Sequence, residues 1–81
     1  MNAVTAYRNA RAAINERKSL YAIRYFPANP GVEWRLYTAD MRHILIGGFC
    51  TSAASAKREA ANALRVRVEY PENYAHEKAA A

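Results

Sequence analysis

The stretch HILIGGFCTSAASAKREAANAL, residues 43–64, decides the fold of this chain. It begins with apolar residues and two glycines, which is typical of a strand that bends or lies close to another backbone. Thr51 or Ser52 can then cap a helix. The helical period places small alanine side chains on one face, so the helix can lie close to a sheet. That predicted inner face consists of Ala53, Ala56, Ala60, Ala63 and Leu64.

Two segments upstream of this stretch alternate in hydrophobicity with a period of two, which is the pattern of half-buried strands. They are YAIRYF, residues 21–26, and VEWRLYT, residues 32–38, and the turn residues Asn29, Pro30 and Gly31 lie between them. Residues 39–42 predict a hairpin turn before the third strand. We expect Trp34 to face the core and to pack under a helix. A slip of one residue in the strand register would instead turn it outward.

The two ends of the chain are predicted to be helical. A first helix capped by Asn2 or Thr5 extends to about Lys18. Residues 65–70 alternate well enough for a fourth strand, but no glycine separates them from the second helix, so a continued helix is the alternative. Pro71 ends either structure, and residues 71–81 are predicted to form a frayed or disordered tail. The apolar face of the first helix would contain Val4, Tyr7, Ala10 and Ile14.

The predicted order is therefore helix, strand, strand, strand, helix and, in one of the two alternatives, a final strand. Hairpin connections make the sheet antiparallel, with three or four strands. The two helices are expected to cover one face of the sheet and to leave the other partly in solvent. The fold class is α+β, with a single domain over residues 1–70 followed by the tail 71–81.

The composition points towards an acidic partner. The 81 residues carry a formal charge of +5 and one cysteine. Such a basic chain is expected to contact nucleic acid, a nucleoprotein or an acidic protein surface, although solubility alone is the alternative. No apolar run approaches the roughly 20 residues that cross a bilayer, and the N-terminal segment lacks the pattern of a secretory signal. We therefore expect a cytoplasmic protein that does not contact membranes, and the oligomeric state remains open.

Basic residues interleaved with aromatic residues are the main functional signal. Arg35 and Tyr37 share a face of the second predicted strand, and Arg24 and Phe26 share a face of the first. Arginine neutralises phosphates and aromatic rings stack on unpaired bases. The same residue types dominate protein-binding hot spots, so the pattern does not separate a nucleic-acid partner from a protein partner. The candidate binding residues are Arg24, Trp34, Arg35, Tyr37, Arg42, Lys57, Arg58, Arg65 and Arg67.

Catalysis and metal binding have little support in the sequence. Cys50 and His43 lie at opposite ends of the third predicted strand, on the order of 20 Å apart, which is too far for a nucleophile and its base. One cysteine and two distant histidines do not make a zinc site. No glycine-rich phosphate loop is present. We therefore expect a non-enzyme that needs neither a cofactor nor a metal.

The segment IGGFCT, residues 46–51, followed by AASAK, residues 53–57, resembles a corner of a known DNA-binding family. This is the strand-to-helix corner of the plant APETALA and ethylene-response domain and its phage integrase relatives. Members lay a three-stranded sheet in the DNA major groove and read the bases from the strands. The resemblance implies that Arg24, Trp34 and Arg35 contact DNA.

Two further resemblances extend the range of partners. The element order and the segment AKREAA, residues 56–61, are similar to a double-stranded-RNA-binding domain, which implies that Lys57 and Arg58 contact phosphates. The small, basic, single-domain chain also resembles in type the phage proteins that disable bacterial defences, including anti-CRISPR inhibitors. We therefore expect a protein that binds nucleic acid or a nucleoprotein groove. The alternative is a phage-encoded, anti-CRISPR-like inhibitor in the host cytosol. Such an inhibitor binds a CRISPR effector complex and prevents that complex from binding its target nucleic acid.

Overall fold

The structure is a computed structural model and describes residues 3–80. It confirms the α+β class and the predicted order of helix, three antiparallel strands and helix. The elements are α1 (Ala3–Lys18), β1 (Tyr21–Pro27), β2 (Val32–Thr38), β3 (Ile44–Cys50), α2 (Ala53–Glu69) and a C-terminal 3-10 helix (Pro71–Ala80).

The three strands form one antiparallel sheet with β2 in the centre. Trp34 on β2 lies opposite Tyr25 on β1 and Gly48 on β3, so these three positions share a face. The register between β2 and β3 is irregular after Leu36, because Leu36 pairs with Ile46 whereas the next residue pairs with Ile44. Leu45 is therefore an extra residue in β3. Ile44 and Ile46 consequently point to opposite faces of the sheet, whereas in a regular strand they would share one face.

Helix α2 covers one face of the sheet and forms the core with it. Ser52 caps this helix, since its hydroxyl accepts a 3.2 Å hydrogen bond from the Ser55 backbone N–H. The predicted inner face is confirmed for its central residues, whereas Ala53 is exposed. Small side chains let the helix approach β2 closely. The buried residues of this core are Trp34, Leu36, Cys50, Ala56, Ala60 and Ala63.

Gly48 makes room for the tryptophan in this core. A Cβ atom at position 48 would lie 2.6 Å from the indole Nε1 of Trp34, which is closer than nonbonded atoms approach. That indole Nε1 donates a 3.3 Å hydrogen bond to Glu59 Oε1 on α2. Cys50 Sγ donates to the other oxygen of the same carboxylate at 2.9 Å. One carboxylate thus connects α2 to both β2 and β3.

The segment 65–69 is helical, so α2 continues and no fourth strand forms within residues 3–80. For residues 71–81 the sequence predicted a frayed helical turn or disorder. Pro71–Ala80 forms a 3-10 helix with a kink at Tyr74. Glu77 anchors this segment through an ion pair with Arg67 on α2, at 2.9 Å.

Helix α1 packs mainly against α2 and does not bury its predicted apolar face. Val4 and Tyr7 remain 59% and 64% exposed. Its last turn is fastened to α2, because Arg17 Nε donates a 2.7 Å hydrogen bond to the carbonyl oxygen of Val68. The molecule is consequently elongated, with extents of 52 × 28 × 19 Å. No helix among residues 3–80 combines the length and apolarity that a bilayer crossing requires.

Candidate nucleic-acid interface

The face of the sheet opposite α2 presents three cross-strand rows, and we call it the open face. The strand pairing places Arg24, Arg35 and Gly47 in the central row. A second row contains two phenylalanines on either side of Glu33, and a third lies at the other end of the sheet. The complete open face consists of Ala22, Arg24, Phe26, Glu33, Arg35, Tyr37, Ile44, Gly47 and Phe49.

The central row places two like charges side by side. Arg24 and Arg35 are direct cross-strand partners, and like charges in such pairs repel. Both guanidinium groups lie over the ring of Phe26, with their carbons 5.5 and 4.5 Å from its centroid. Cation–π attraction and a salt bridge from Arg35 to Glu33 offset part of the repulsion. An anion bound between the two arginines would remove the rest.

Arg35 is held in place by its neighbours on β2. Hydrogen bonds with Tyr37 and with Glu33 raise the pKa of the Arg35 guanidinium above its ordinary value. The Tyr37 side chain is only 7% exposed, so the prediction that it stacks on a base is wrong. The Tyr37 side chain instead forms a hydrogen bond with Arg35, and 37% of the Arg35 side chain remains accessible.

Two aromatic rings flank Glu33 on the open face. Phe26 on β1 and Phe49 on β3 both pair with Glu33, so their Cα atoms are separated by two strand spacings, about 10 Å. Phe26 is half-buried under the two arginines, whereas Phe49 is 56% exposed. Phe49 is therefore the ring that is available to stack on a ligand.

Phe49 and Ile44 were not among the predicted binding residues. Both are 56% exposed on the open face. A regular strand would place these two residues on opposite faces, because five positions separate them. The extra residue Leu45 moves Ile44 to the side of Phe49. The glycine pair within β3 was the one signal for such an irregularity.

Besides Tyr37, two more of the predicted binding residues are buried. Trp34 is 3% exposed beneath α2, so it faces the core as its strand alternation predicted and does not stack on bases. Arg67 is 5% exposed, because its guanidinium donates to both carboxylate oxygens of Glu77 and to the Ala63 carbonyl oxygen. A position on an open fourth strand would have exposed it, but α2 turns it inward.

The remaining basic candidates do not join the open face. Lys57, Arg58 and Arg65 are exposed on α2, which lies on the other side of the sheet. Arg65 is already paired, since its Nη1 donates a 2.8 Å hydrogen bond to Glu69 on the same helix. The positive charge of the chain is therefore divided between separate surfaces.

Arg42 lies at one end of the sheet, in the turn between β2 and β3, and 81% of its side chain is exposed. Asp40 organises this turn by accepting hydrogen bonds from the Thr38 hydroxyl at 2.6 Å and from the Arg42 backbone N–H at 3.0 Å. The hydrogen bond from Thr38, followed by that from Arg42, lowers the pKa of the Asp40 carboxyl. Met41 adopts a left-handed conformation with φ of 65°.

The chemistry of Cys50 does not suit a nucleophile. The hydrogen bond to Glu59 is the main cause of a raised pKa of the thiol, and burial raises it further. The reactive thiolate form is therefore disfavoured. Within residues 3–80, no three His, Cys, Asp or Glu side chains come together in a way that could hold a metal ion.

Comparisons of the chain with protein-family models, with curated proteins and with solved structures find no match.

Proposed function

We propose that the protein binds single-stranded nucleic acid on the open face, without catalysing a reaction. The observation that carries this proposal is the cross-strand pair Arg24 and Arg35, which share the Phe26 ring. The exposed Phe49 lies across Glu33 from that ring. Each of the two guanidinium groups would neutralise one phosphate of the strand. An unpaired base would stack on Phe49, as bases stack on aromatic residues of other sheet surfaces.

The charge distribution favours a single strand over a duplex. Arg24 and Arg35 against Glu33 give the open face a net charge of +1. Duplex binders draw their affinity from many phosphate contacts, commonly about six to ten. Lys57, Arg58 and Arg65 cannot supply them here, because α2 lies on the opposite side of the sheet from the open face. Stacking supplies the missing affinity only when the bases are unpaired.

The direct test is fluorescence-anisotropy titration of labelled single-stranded RNA, single-stranded DNA and duplexes of both at several salt concentrations. We expect both single strands to bind more tightly than the duplexes. The logarithm of the association constant should fall with the logarithm of salt with a slope of about −1.4, since each of two phosphate contacts contributes about −0.7. No binding of single strands at low salt, or a preference for duplex, would overturn the proposal.

A second candidate function is a protein-directed inhibitor of the anti-CRISPR type. Two exposed apolar side chains, Ile44 and Phe49, favour a protein surface as partner. The low net charge of the open face, to which Glu33 contributes, also favours a protein partner. Such an inhibitor would block target binding by a CRISPR effector with little salt dependence. A competition assay with effector and target DNA separates this function from direct nucleic-acid binding.

A further inference from the structure

The edge strand β1 carries an aromatic ring on each of its two faces. Tyr25 and Phe26 are consecutive residues of this strand, so their side chains point to opposite faces of the sheet. The Phe26 ring lies on the open face, whereas Tyr25 lies on the face that α2 covers and nevertheless remains 42% exposed. Within residues 3–80 no further strand pairs with the outer side of β1, so both aromatic residues border the same exposed strand edge.

A groove of about 240 Å³ lies beside Tyr25, between β1 and the first two turns of α2. Its lining residues are Tyr25, Pro27, Val32, Ala53 and Lys57, none of which is acidic. Lys57 is exposed, and within the part of the chain that the structure describes no carboxylate forms an ion pair with it. The groove therefore combines an aromatic ring and apolar walls with one positive charge that the protein itself does not neutralise.

We propose, as an extension that rests on the proposed function, that this groove binds one nucleotide of the single strand whose neighbouring nucleotides lie on the open face. The base stacks on Tyr25 and the phosphate approaches Lys57, since a nucleotide presents a flat ring and an anion together. The volume also suits this occupant. About 240 Å³ is below the roughly 300–1,000 Å³ of pockets that enclose a whole small ligand, so one base of a longer strand fits better.

The route from the open face to the groove crosses the edge of β1. Arg24 and Phe26 lie on the open face and flank Tyr25 in the sequence, so a strand bound at Arg24 needs only to pass over this edge. A flexible single strand can turn there, whereas duplex DNA is stiff over about 150 base pairs. The turn therefore makes the charge of Lys57 accessible to a bound single strand and not to a duplex on the open face.

The test is a titration of the isotope-labelled full chain with single-stranded RNA of about 12 nucleotides, a length within the range of single-strand site sizes, followed through the backbone amide signals by NMR. We expect shifts at Arg35 and Phe49 for the open face and at Ala53 and Lys57 for the groove. Shifts at the first pair alone would overturn the groove and leave the proposed function intact. Shifts at neither pair, or at the second pair alone, would overturn both.

Two neighbouring charges on α2 provide a matched pair of variants. Lys57 lines this groove, whereas the exposed Arg58 lines a different one. A strand that reaches Lys57 makes a third phosphate contact, so its salt slope should be steeper by about 0.7 than the slope of about −1.4 for the open face alone. Lys57→Ala should abolish this increment, and Arg58→Ala should retain it. Equal slopes for the two variants would overturn the proposal.

Tyr25 is tested by variants that separate the ring from its apolar bulk. We expect Tyr25→Leu to weaken binding of the same RNA about tenfold, because the stacked base loses its aromatic partner. Tyr25→Phe keeps the ring and should bind as the wild type does. Circular dichroism should show both variants folded, since the position is partly solvated. Equal affinities of the leucine and phenylalanine variants would overturn stacking in the groove.

Discussion

Arg67 and Glu77 form a buried two-point ion pair, with Nε–Oε1 and Nη2–Oε2 distances of 2.9 and 3.0 Å. Only 5% and 13% of the two side chains are exposed. The ring of Tyr74 lies under the guanidinium, 4.4 Å from its carbon. This pair fastens the C-terminal 3-10 helix to α2. Arg67 therefore links α2 to the C-terminal 3-10 helix, and little of its side chain is exposed.

Removal of one partner should leave a buried charge without compensation. We expect Glu77→Gln to lower the free energy of unfolding by about 3 kcal/mol, as is typical when a buried pair loses one member. Urea denaturation followed by circular dichroism measures this change. Glu72→Gln, at an exposed position of the same 3-10 helix, is the matched control and should have little effect. Equal effects of the two variants would contradict the structural role of the pair.

The burial of Arg67 could not be predicted from the sequence. The segment RVRV alternates, so its arginines were compatible with an exposed strand face as well as with a helix. The decisive fact is the ion pair with Glu77, which lies ten residues later in a segment without periodicity. The helical periodicity of the α2 alanines predicted a buried face, and this prediction was confirmed because that face packs against the sheet. The apolar period of α1 faces solvent at Val4 and Tyr7, because periodicity does not specify a packing partner.

The open face could be predicted in part. The two-residue period of β1 and β2 placed Arg24 and Arg35 on one side, and the strand pairing makes them neighbours. The prediction that Tyr37 is exposed was wrong. A two-residue period predicts which face of a strand a side chain points to, but it does not predict how much of that side chain is covered by its neighbours. Ile44 and Phe49 were missed because the extra residue Leu45 changes the alternation in β3.

Arg24 and Arg35 should each contribute one phosphate contact. We expect either alanine substitution to weaken binding of single-stranded RNA and to reduce the magnitude of the salt slope by about 0.7. Arg65→Ala removes the same charge from α2, away from the open face, and should leave the slope unchanged. Anisotropy titrations at four salt concentrations measure all three slopes. If Arg65→Ala reduced the magnitude of the salt slope as much as Arg24→Ala does, binding would depend on the total charge of the chain and not on the position of the arginine.

Phe49 should contribute stacking that depends little on salt. We expect Phe49→Ala to cost about 1–3 kcal/mol of binding free energy for a single strand, with an unchanged salt slope. Its 56% exposure makes a large loss of stability unexpected. Phe49→Tyr retains a ring and should restore most of the affinity. Failure of the tyrosine variant to bind better than the alanine variant would exclude stacking at this position.

Gly48 should be intolerant of even one added methyl group. An alanine Cβ would lie 2.6 Å from Trp34 Nε1, so the indole must move and its hydrogen bond to Glu59 is disturbed. We expect Gly48→Ala to lower the free energy of unfolding by about 1–3 kcal/mol, the usual cost of overpacking. Trp34 is the single tryptophan of the chain, so its fluorescence reports both the unfolding midpoint and the local change. An unchanged midpoint and emission maximum would contradict the close approach.

Asp40 should make the stability of the fold depend on pH in the acidic range. The hydrogen bonds from Thr38 and Arg42 lower the pKa of its carboxyl in the folded chain. A lowered folded-state pKa contributes stability above the ordinary value of about 3.9, and this contribution is lost as the pH falls through the folded-state pKa. Asp40→Asn, which cannot ionise, should therefore be less stable than the wild type at neutral pH.

That difference should shrink as the pH falls below the ordinary value of about 3.9, because the wild-type carboxyl becomes protonated as the pH passes through its lowered folded-state pKa. Thermal unfolding followed by circular dichroism at half-unit steps in pH measures the two curves. Glu16→Gln, an exposed carboxylate on α1, is the control for the general loss of an acidic group. Wild-type and Asp40→Asn curves that stay parallel across the acidic range would show that the turn draws no stability from the charged form of Asp40.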